Sequence, residues 1–126
     1  MYKEKGAYFL KTARNFRVPM IRLLDGAGGS IREILELGFT ELATSGDEST
    51  QNREELLSQI PVVSLGIGSV AGIGAMYMVQ SHFSVMVKEQ AHVFVGGPPL
   101  VKFAYGEDVS KEELGGYRLH TRLTGV

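Results

Sequence analysis

Residues 62–75 read VVSLGIGSVAGIGA, an apolar, β-branched run that gives way to glycines and then to helix-compatible residues. This order predicts a strand over residues 62–65, a glycine turn, and a helix over residues 71–81. Such a turn aims successive backbone N–H groups at one point, where they can hold an anion or a developing oxyanion. Two other readings stay open beside the oxyanion hole. Gly66, Gly68 and Ala71 fit the G-x-G-x-x-G/A dinucleotide fingerprint, with Glu89 about 20 residues on, where a ribose-binding carboxylate would stand. Against it, a mononucleotide-binding half needs more strand-helix pairs than this short chain supplies. The glycines can also serve only to pack a helix tightly on a strand.

The composition is that of a modest globular core. The chain has 126 residues, 44% hydrophobic and 21% charged, which suits one domain at most. A net charge of -1 with scattered basic residues argues against nucleic acid as a partner. With no cysteine, disulfide and thiolate chemistry are excluded, as in a reducing compartment. The longest apolar run, residues 60–79, is punctuated by Pro61 and by glycines, so no membrane span is expected. The start Met1-Tyr2-Lys3-Glu4 carries no apolar signal region, so no targeting peptide is expected.

Periodicity places the remaining elements. Gly6, Phe9, Leu10, Ala13 and Phe16 recur at helical spacing over residues 2–15, and Pro19 ends that helix before a short buried strand at residues 20–24. Ser30 with Glu33 forms a capping box ahead of a short helix that Gly38 closes. Residues 44–53 are a polar loop, and residues 54–60 add a helical turn or two before Pro61. After the 71–81 helix come strands at 83–87 and 92–95 around a Lys88-Glu89-Gln90 turn, then a short helix from Pro98 or Pro99 to Phe103. Ser110 with Glu113 is a second capping box, closed by Gly115-Gly116.

Several local sequences follow one another in a fixed order. They are Gly68-Ser69-Val70-Ala71-Gly72-Ile73-Gly74-Ala75, Val87-Lys88, Gly97-Pro98-Pro99-Leu100-Val101-Lys102, Gly106-Glu107-Asp108-Val109-Ser110, Glu112-Glu113-Leu114-Gly115-Gly116 and His120. The succession resembles the carboxyltransferase (beta) subunits of biotin-dependent acyl-CoA carboxylases, of methylcrotonyl-, propionyl- and acetyl-CoA carboxylase type, without a gap from Gly68 to Val126. Residues 19–30 (PMIRLLDGAGGS) also look like that family's strand and glycine-rich turn, whereas residues 37–59 match loosely. The resemblance implies an α/β fold of crotonase (ClpP/crotonase-like) type, a β-β-α spiral. Residues 1–126 would form an incomplete single domain, part of the carboxyltransferase N-terminal domain.

The same resemblance implies the chemistry. A carboxyl group passes from carboxybiotin to the α-carbon of an acyl-CoA through an enolate held by backbone N–H groups. By register the catalytic donor pair falls on Gly72 and Ile73, with Gly28, Gly29, Ala71 and Gly74 as substrate-binding wall. Ile73 stands where the family has glycine, placing a β-branched side chain beside the thioester. The implied cofactor is biotin on a partner carrier domain, with acyl-CoA as substrate and no metal. The implied partners are a second carboxyltransferase domain, like subunits in a homo-oligomer, and a biotin carboxylase/biotin carrier subunit, with no nucleic acid and no membrane. The implied location is cytoplasmic, or the mitochondrial matrix in a eukaryote. A non-catalytic nucleotide- or CoA-binding module, or a degenerate remnant, is the competing reading.

Other side chains have plainer roles. Ser69 lacks a nucleophile elbow, because Ile67 occupies the position where the elbow needs glycine. His82, His92 and His120 have no companions at metal-ligand spacing, and His120 fits a structural hydrogen bond as well as a catalytic one. Asp25 reads as a turn cap or a pocket group, Lys102 as a solvated cation or a group that attracts the CoA phosphates, and Met76, Tyr77 and Met78 as core packing.

Overall fold

The computed structural model describes residues 2–29, 36 and 51–126. The chain divides into two compact units, Met1–Met20 with Gly29–Val62, and Ile21–Gly28 with Val63–Val126.

In the first unit, helix α1 (Tyr2–Phe16) confirms the periodicity. Only part of its apolar stripe turns inward. Ala13 is buried with Leu56, Ile60 and Val62, and Leu10, Met20 and Leu57 pack around them, while Phe9 and Phe16 stay exposed. Arg17, at φ 51, ends α1 in the left-handed conformation a glycine usually supplies, and the Val18 N–H closes onto Ala13 O at 3.2 Å. Helix α2 (Gln51–Gln59) begins three residues before the expected 54, since 51–53 belong to the helix and not to the polar loop. Gln and Arg are good helix formers, and an exposed Arg14–Glu55 pair at 2.9 Å ties α2 to α1. Residues 44–50 of that loop lie outside the described residues. So does the Ser30–Glu33 capping box, together with its helix apart from helical Glu36.

The sheet belongs to the second unit except for the first residues of two strands, Met20 and Val62: β1 (Met20–Gly26), β2 (Val62–Ala71) and β3 (Phe83–Met86) are neighbours in that order, and β4 (His92–Phe94) also pairs with β2. The β2–β3 and β2–β4 pairings are parallel. Val63 to Gly66 of β2 lie beside Phe83 to Met86, and Ser69 to Ala71 beside His92 to Phe94. Helix α3 (Ile73–Val79) connects β2 to β3, and the chain continues through α4 (Pro98–Tyr105), α5 (Lys111–Gly115), α6 (Tyr117–Leu119) and a π-helical turn, His120–Thr124. The core is Val70, Ala75, Met78 and Val93, with Leu24, Met86 and Val126 against it.

Three expectations need correction. The strand expected at 62–65 runs on to Ala71, through Gly66 and Gly68, and the helix is shorter than 71–81. Neither glycine has a positive φ. Both sit where neighbours come close: a Cβ at Gly68 would lie 2.3 Å from Asp25 Oδ1, and one at Gly66 would touch Met78, Val70 and Ala91. The chain turns at Gly72, with φ 61. A dinucleotide fingerprint needs its glycines in the turn beyond the strand, so that reading of Gly66, Gly68 and Ala71 fails. Finally, β1 is not buried. It ends the strand order, and Ile21 and Leu23, at 66% and 67% exposure, point away from the face on which Leu24 packs.

Helix α3 is short, and side chains satisfy its last carbonyls. Arg22 Nη1 donates to Tyr77 O and Gln80 O at 3.3 and 3.1 Å, and buried Ser64 donates to Tyr77 O at 3.1 Å. Ser81 and Ser84 both donate to Met78 O, at 2.6 and 2.7 Å. The second capping box is present: Glu113 N–H donates to Ser110 Oγ at 3.2 Å and Ser110 N–H to Glu113 Oε2 at 3.0 Å. Hydrogen bonds from the Ser110 side chain and then its backbone hold the Glu113 carboxyl below the usual carboxylate range.

Candidate active site

The end of β2 builds a wall of bare backbone. Ala71 is buried at 6% exposure, and a Cβ on Gly28 (φ 85) would stand 3.4 Å from Ala71 Cβ. A Cβ on Gly72 would stand 3.7 Å from Gly28 Cα. Both glycines have a positive φ, which lets the turn after β1 close against the turn after β2.

Gly72 is the N-cap of α3, and its N–H donates to Val95 O at 3.0 Å. That hydrogen bond occupies one of the two N–H groups of the expected donor pair. The N–H groups of Ile73 and Gly74 open the helix and have no acceptor among the described residues. Gly74 sits tightly on Val70, 3.2 Å from its Cγ1 were a Cβ added. Gly72, Ile73, Gly74, Ala71 and Gly28 therefore come together. Gly29 falls in the first compact unit and is exposed.

The other side chains divide clearly. Lys102 pairs with exposed Asp108 at 2.7 Å, and Ser69 Oγ accepts from Lys111 Nζ at 3.1 Å. The Asp25 carboxylate lies over Gly68. His120 is buried and uses both ring nitrogens, Nε2 on Val93 O and Nδ1 on Thr124 Oγ1, each at 2.8 Å. Among the described residues no cluster of three metal-ligating side chains forms, and no helix is long and apolar enough to cross a membrane.

Sequence reasoning missed the support of β4. Val95 O fixes Gly72, while His92 bridges to Gly116 and stands 3.5 Å from Glu112 Oε2. The signal available was Gly115-Gly116, read as a helix stop. Here these residues also give close approach, since a Cβ on Gly115 would meet Val93 O and one on Gly116 the Glu112 carboxyl. A depression of about 360 Å³ opens nearby, lined by Glu89, His92, Glu112, Tyr117 and Arg118. Arg118 donates to Tyr117 Oη at 3.0 Å, which raises its already high pKa further.

Comparison with known proteins identifies the architecture. The carboxyl transferase domain model matches residues 1–126. The chain is 39% identical over 126 residues to the human mitochondrial propionyl-CoA carboxylase beta chain, covering 99% of this chain and 22% of that protein. It is 52% identical over 67 residues to the Mycobacterium tuberculosis biotin-dependent 3-methylcrotonyl-coenzyme A carboxylase beta1 subunit, covering 53% of this chain and 13% of that one. Among solved structures, the P. aeruginosa geranyl-CoA carboxylase beta subunit superposes with a TM-score of 0.76 at 27% identity, over 98% of this chain and 22% of that chain. Transcarboxylase 12S, at 24% identity and a TM-score of 0.73 over 98% of this chain and 23% of that chain, shares the fold. The α/β crotonase-like fold with its parallel sheet is thus established, and the chain spans about a fifth of the length of the relatives it matches, 22% for the human protein. The chain belongs to the carboxyl transferase domain family.

Proposed function

We propose that residues 1–126 are part of the N-terminal crotonase-like domain of a biotin-dependent acyl-CoA carboxyltransferase. The observation that carries the reading is the opened first turn of α3, where the Ile73 and Gly74 N–H groups lack an acceptor among the described residues, beside the backbone wall of Gly28 and Ala71. Neutral N–H donors suit an oxygen that gains charge as an enolate forms, and they need no ionisable partner. Biotin on a partner carrier supplies the carboxyl group when bound. Ile73 N–H donates to the thioester oxygen, Gly74 stands as the second donor, and Gly28 and Ala71 let the thioester lie close to the backbone. The Gly72 N–H instead pins the turn to Val95 O. The proposed partners are the second carboxyltransferase domain, like subunits, and the biotin carboxylase/biotin carrier subunit.

The test is carboxyl transfer to acetyl-, propionyl- and methylcrotonyl-CoA by the protein isolated with its native partners. Ile73→Pro removes the N–H at a first-turn position that tolerates proline, and transfer should fall about 10²- to 10³-fold. Ile73→Gly keeps the donor and should be at least as active as the parent. An Ile73→Pro protein that folds and transfers at the parental rate removes Ile73 from the donor role, and binding without transfer to any of the three thioesters would favour a CoA-binding module.

A further inference from the structure

Strand β4 has three residues, about half the common strand length. Yet the residue that follows it, Val95, holds the Gly72 N–H and so fixes the turn that aims Ile73. A short strand paired to part of β2 needs a second support, and residues 112–124 provide it. Gly116 bridges to His92, the Glu112 carboxyl reaches the His92 ring, and Gly115 lies directly on the Val93 carbonyl. The deepest of these contacts is His120 Nε2 to Val93 O.

We propose that His120 is a positioning residue for the Gly72–Ile73 turn, acting through Val93 and β4; its catalytic meaning rests on the reading of Ile73 as the oxyanion donor. A carbonyl only accepts, so the neutral imidazole carries its proton on Nε2, and Nδ1 accepts from Thr124 Oγ1 at 2.8 Å. The π-helical turn brings these groups together. Gly125, at φ 74, closes its N–H onto His120 O at 2.8 Å, five residues back, and sets Thr124 beside the ring. Val93 is 4% exposed and Gly115 covers its carbonyl, so water cannot readily replace the imidazole. Removing the ring leaves a buried acceptor unsatisfied one residue before Phe94 and two before Val95.

The experiment is amide hydrogen exchange by NMR on the full 126-residue chain, comparing the parent with His120→Gln and His120→Leu. Gln80 serves as the internal reference, because its N–H donates to Met76 O at the other end of α3. In His120→Leu the Gly72 amide should exchange roughly 5- to 100-fold faster, the cost of an unsatisfied buried acceptor, while Gln80 changes about twofold at most. His120→Gln can still donate to Val93 O and should restore Gly72 protection. Nitrogen-15 spectra of the parent imidazole at about pH 8 should show the Nε2–H tautomer. Equal acceleration at Gly72 and Gln80, or unchanged Gly72 protection in His120→Leu, overturns the proposal. If the leucine variant does not fold, fast Gly72 exchange in His120→Gln, or an Nδ1–H tautomer in the parent, overturns it just as well. The exchange rates report the linkage whether or not Ile73→Pro alters carboxyl transfer, so failure of the positioning role and failure of the carboxyltransferase reading are told apart.

Discussion

Replacing Gly115 by alanine tests the seat of β4 directly. The added Cβ would lie 2.1 Å from Val93 O and 2.8 Å from Val93 C, both backbone atoms, and 3.0 Å from Phe94 Cδ1. A carbon normally keeps about 3.3 Å or more from a carbonyl oxygen, so something must move by roughly 1 Å. Neither side yields cheaply, because β4 is laddered to β2 and Gly116 is bridged to His92. Overpacking of this kind costs about 1–3 kcal/mol, and a disturbed hydrogen bond at Val93 O adds about 1 kcal/mol. Alanine recovers up to about 1 kcal/mol of helix propensity at the end of α5. The net loss is about 2 kcal/mol, which at a urea slope of about 1.5 kcal/mol/M lowers the midpoint by roughly 1.3 M. Gly68→Ala is the control. Its clash is with the carboxylate of exposed Asp25, a side-chain end that can swing aside, so it should cost less than about 1 kcal/mol. Equal midpoint shifts for the two variants would refute the distinction between a backbone and a side-chain obstacle.

Three further outcomes are expected. Ser110→Ala removes the cap of α5 and should cost about 1 kcal/mol in urea unfolding. Because the folded Glu113 carboxyl is held below its ordinary value, its stabilising contribution is complete above the unfolded glutamate range and is lost as pH falls through the folded value; below about pH 4.3 the parent's midpoint should therefore drop more steeply than that of Glu113→Gln. Arg22→Met leaves Gln80 O without its guanidinium donor while Ser64 still reaches Tyr77 O, and thermal unfolding should report a loss of about 1–2 kcal/mol.

What the sequence made legible was whatever local chemistry decides. The Ser110–Glu113 box, the proline start of α4 and the periodicity of α1 depend on neighbours a few residues apart, and each appears as read. The glycines of β2 did not, because a glycine kept for a positive φ and one kept for a close approach have the same letter. Gly68 lies under the Asp25 carboxylate, from a residue more than forty positions away in sequence, and that distance hides the contact. The proposal of Ile73 and Gly74 as donors ahead of Gly72 depends on Val95 O, a backbone acceptor just past another strand that no side-chain pattern announces.

The four glycines with positive φ among the described residues allow the site to be separated from the scaffold. Gly28, Gly72, Gly106 and Gly125 have φ of 85°, 61°, 73° and 74°. Alanine at the αL caps Gly106 and Gly125 incurs a left-handed penalty of about 1–2 kcal/mol, and alanine at Gly72, whose ψ of -126° lies outside the αL region, costs more. Their surroundings differ. A Cβ on Gly106 or Gly125 meets nothing within 4 Å, whereas one on Gly28 meets Ala71 at 3.4 Å and one on Gly72 faces Gly28 Cα at 3.7 Å. These last two are ordinary contacts, so crowding adds little to the stability cost. They do fill the backbone wall against which the thioester is proposed to lie. All four alanine variants should therefore lose stability in urea, Gly72→Ala the most, while carboxyl transfer per folded molecule, by the protein with its native partners, collapses for Gly28→Ala and Gly72→Ala and persists for Gly106→Ala and Gly125→Ala. If transfer tracked stability alone across the four, the wall formed by Gly28 and Gly72 would be a turn like any other, and the oxyanion site would have to be sought elsewhere in the chain.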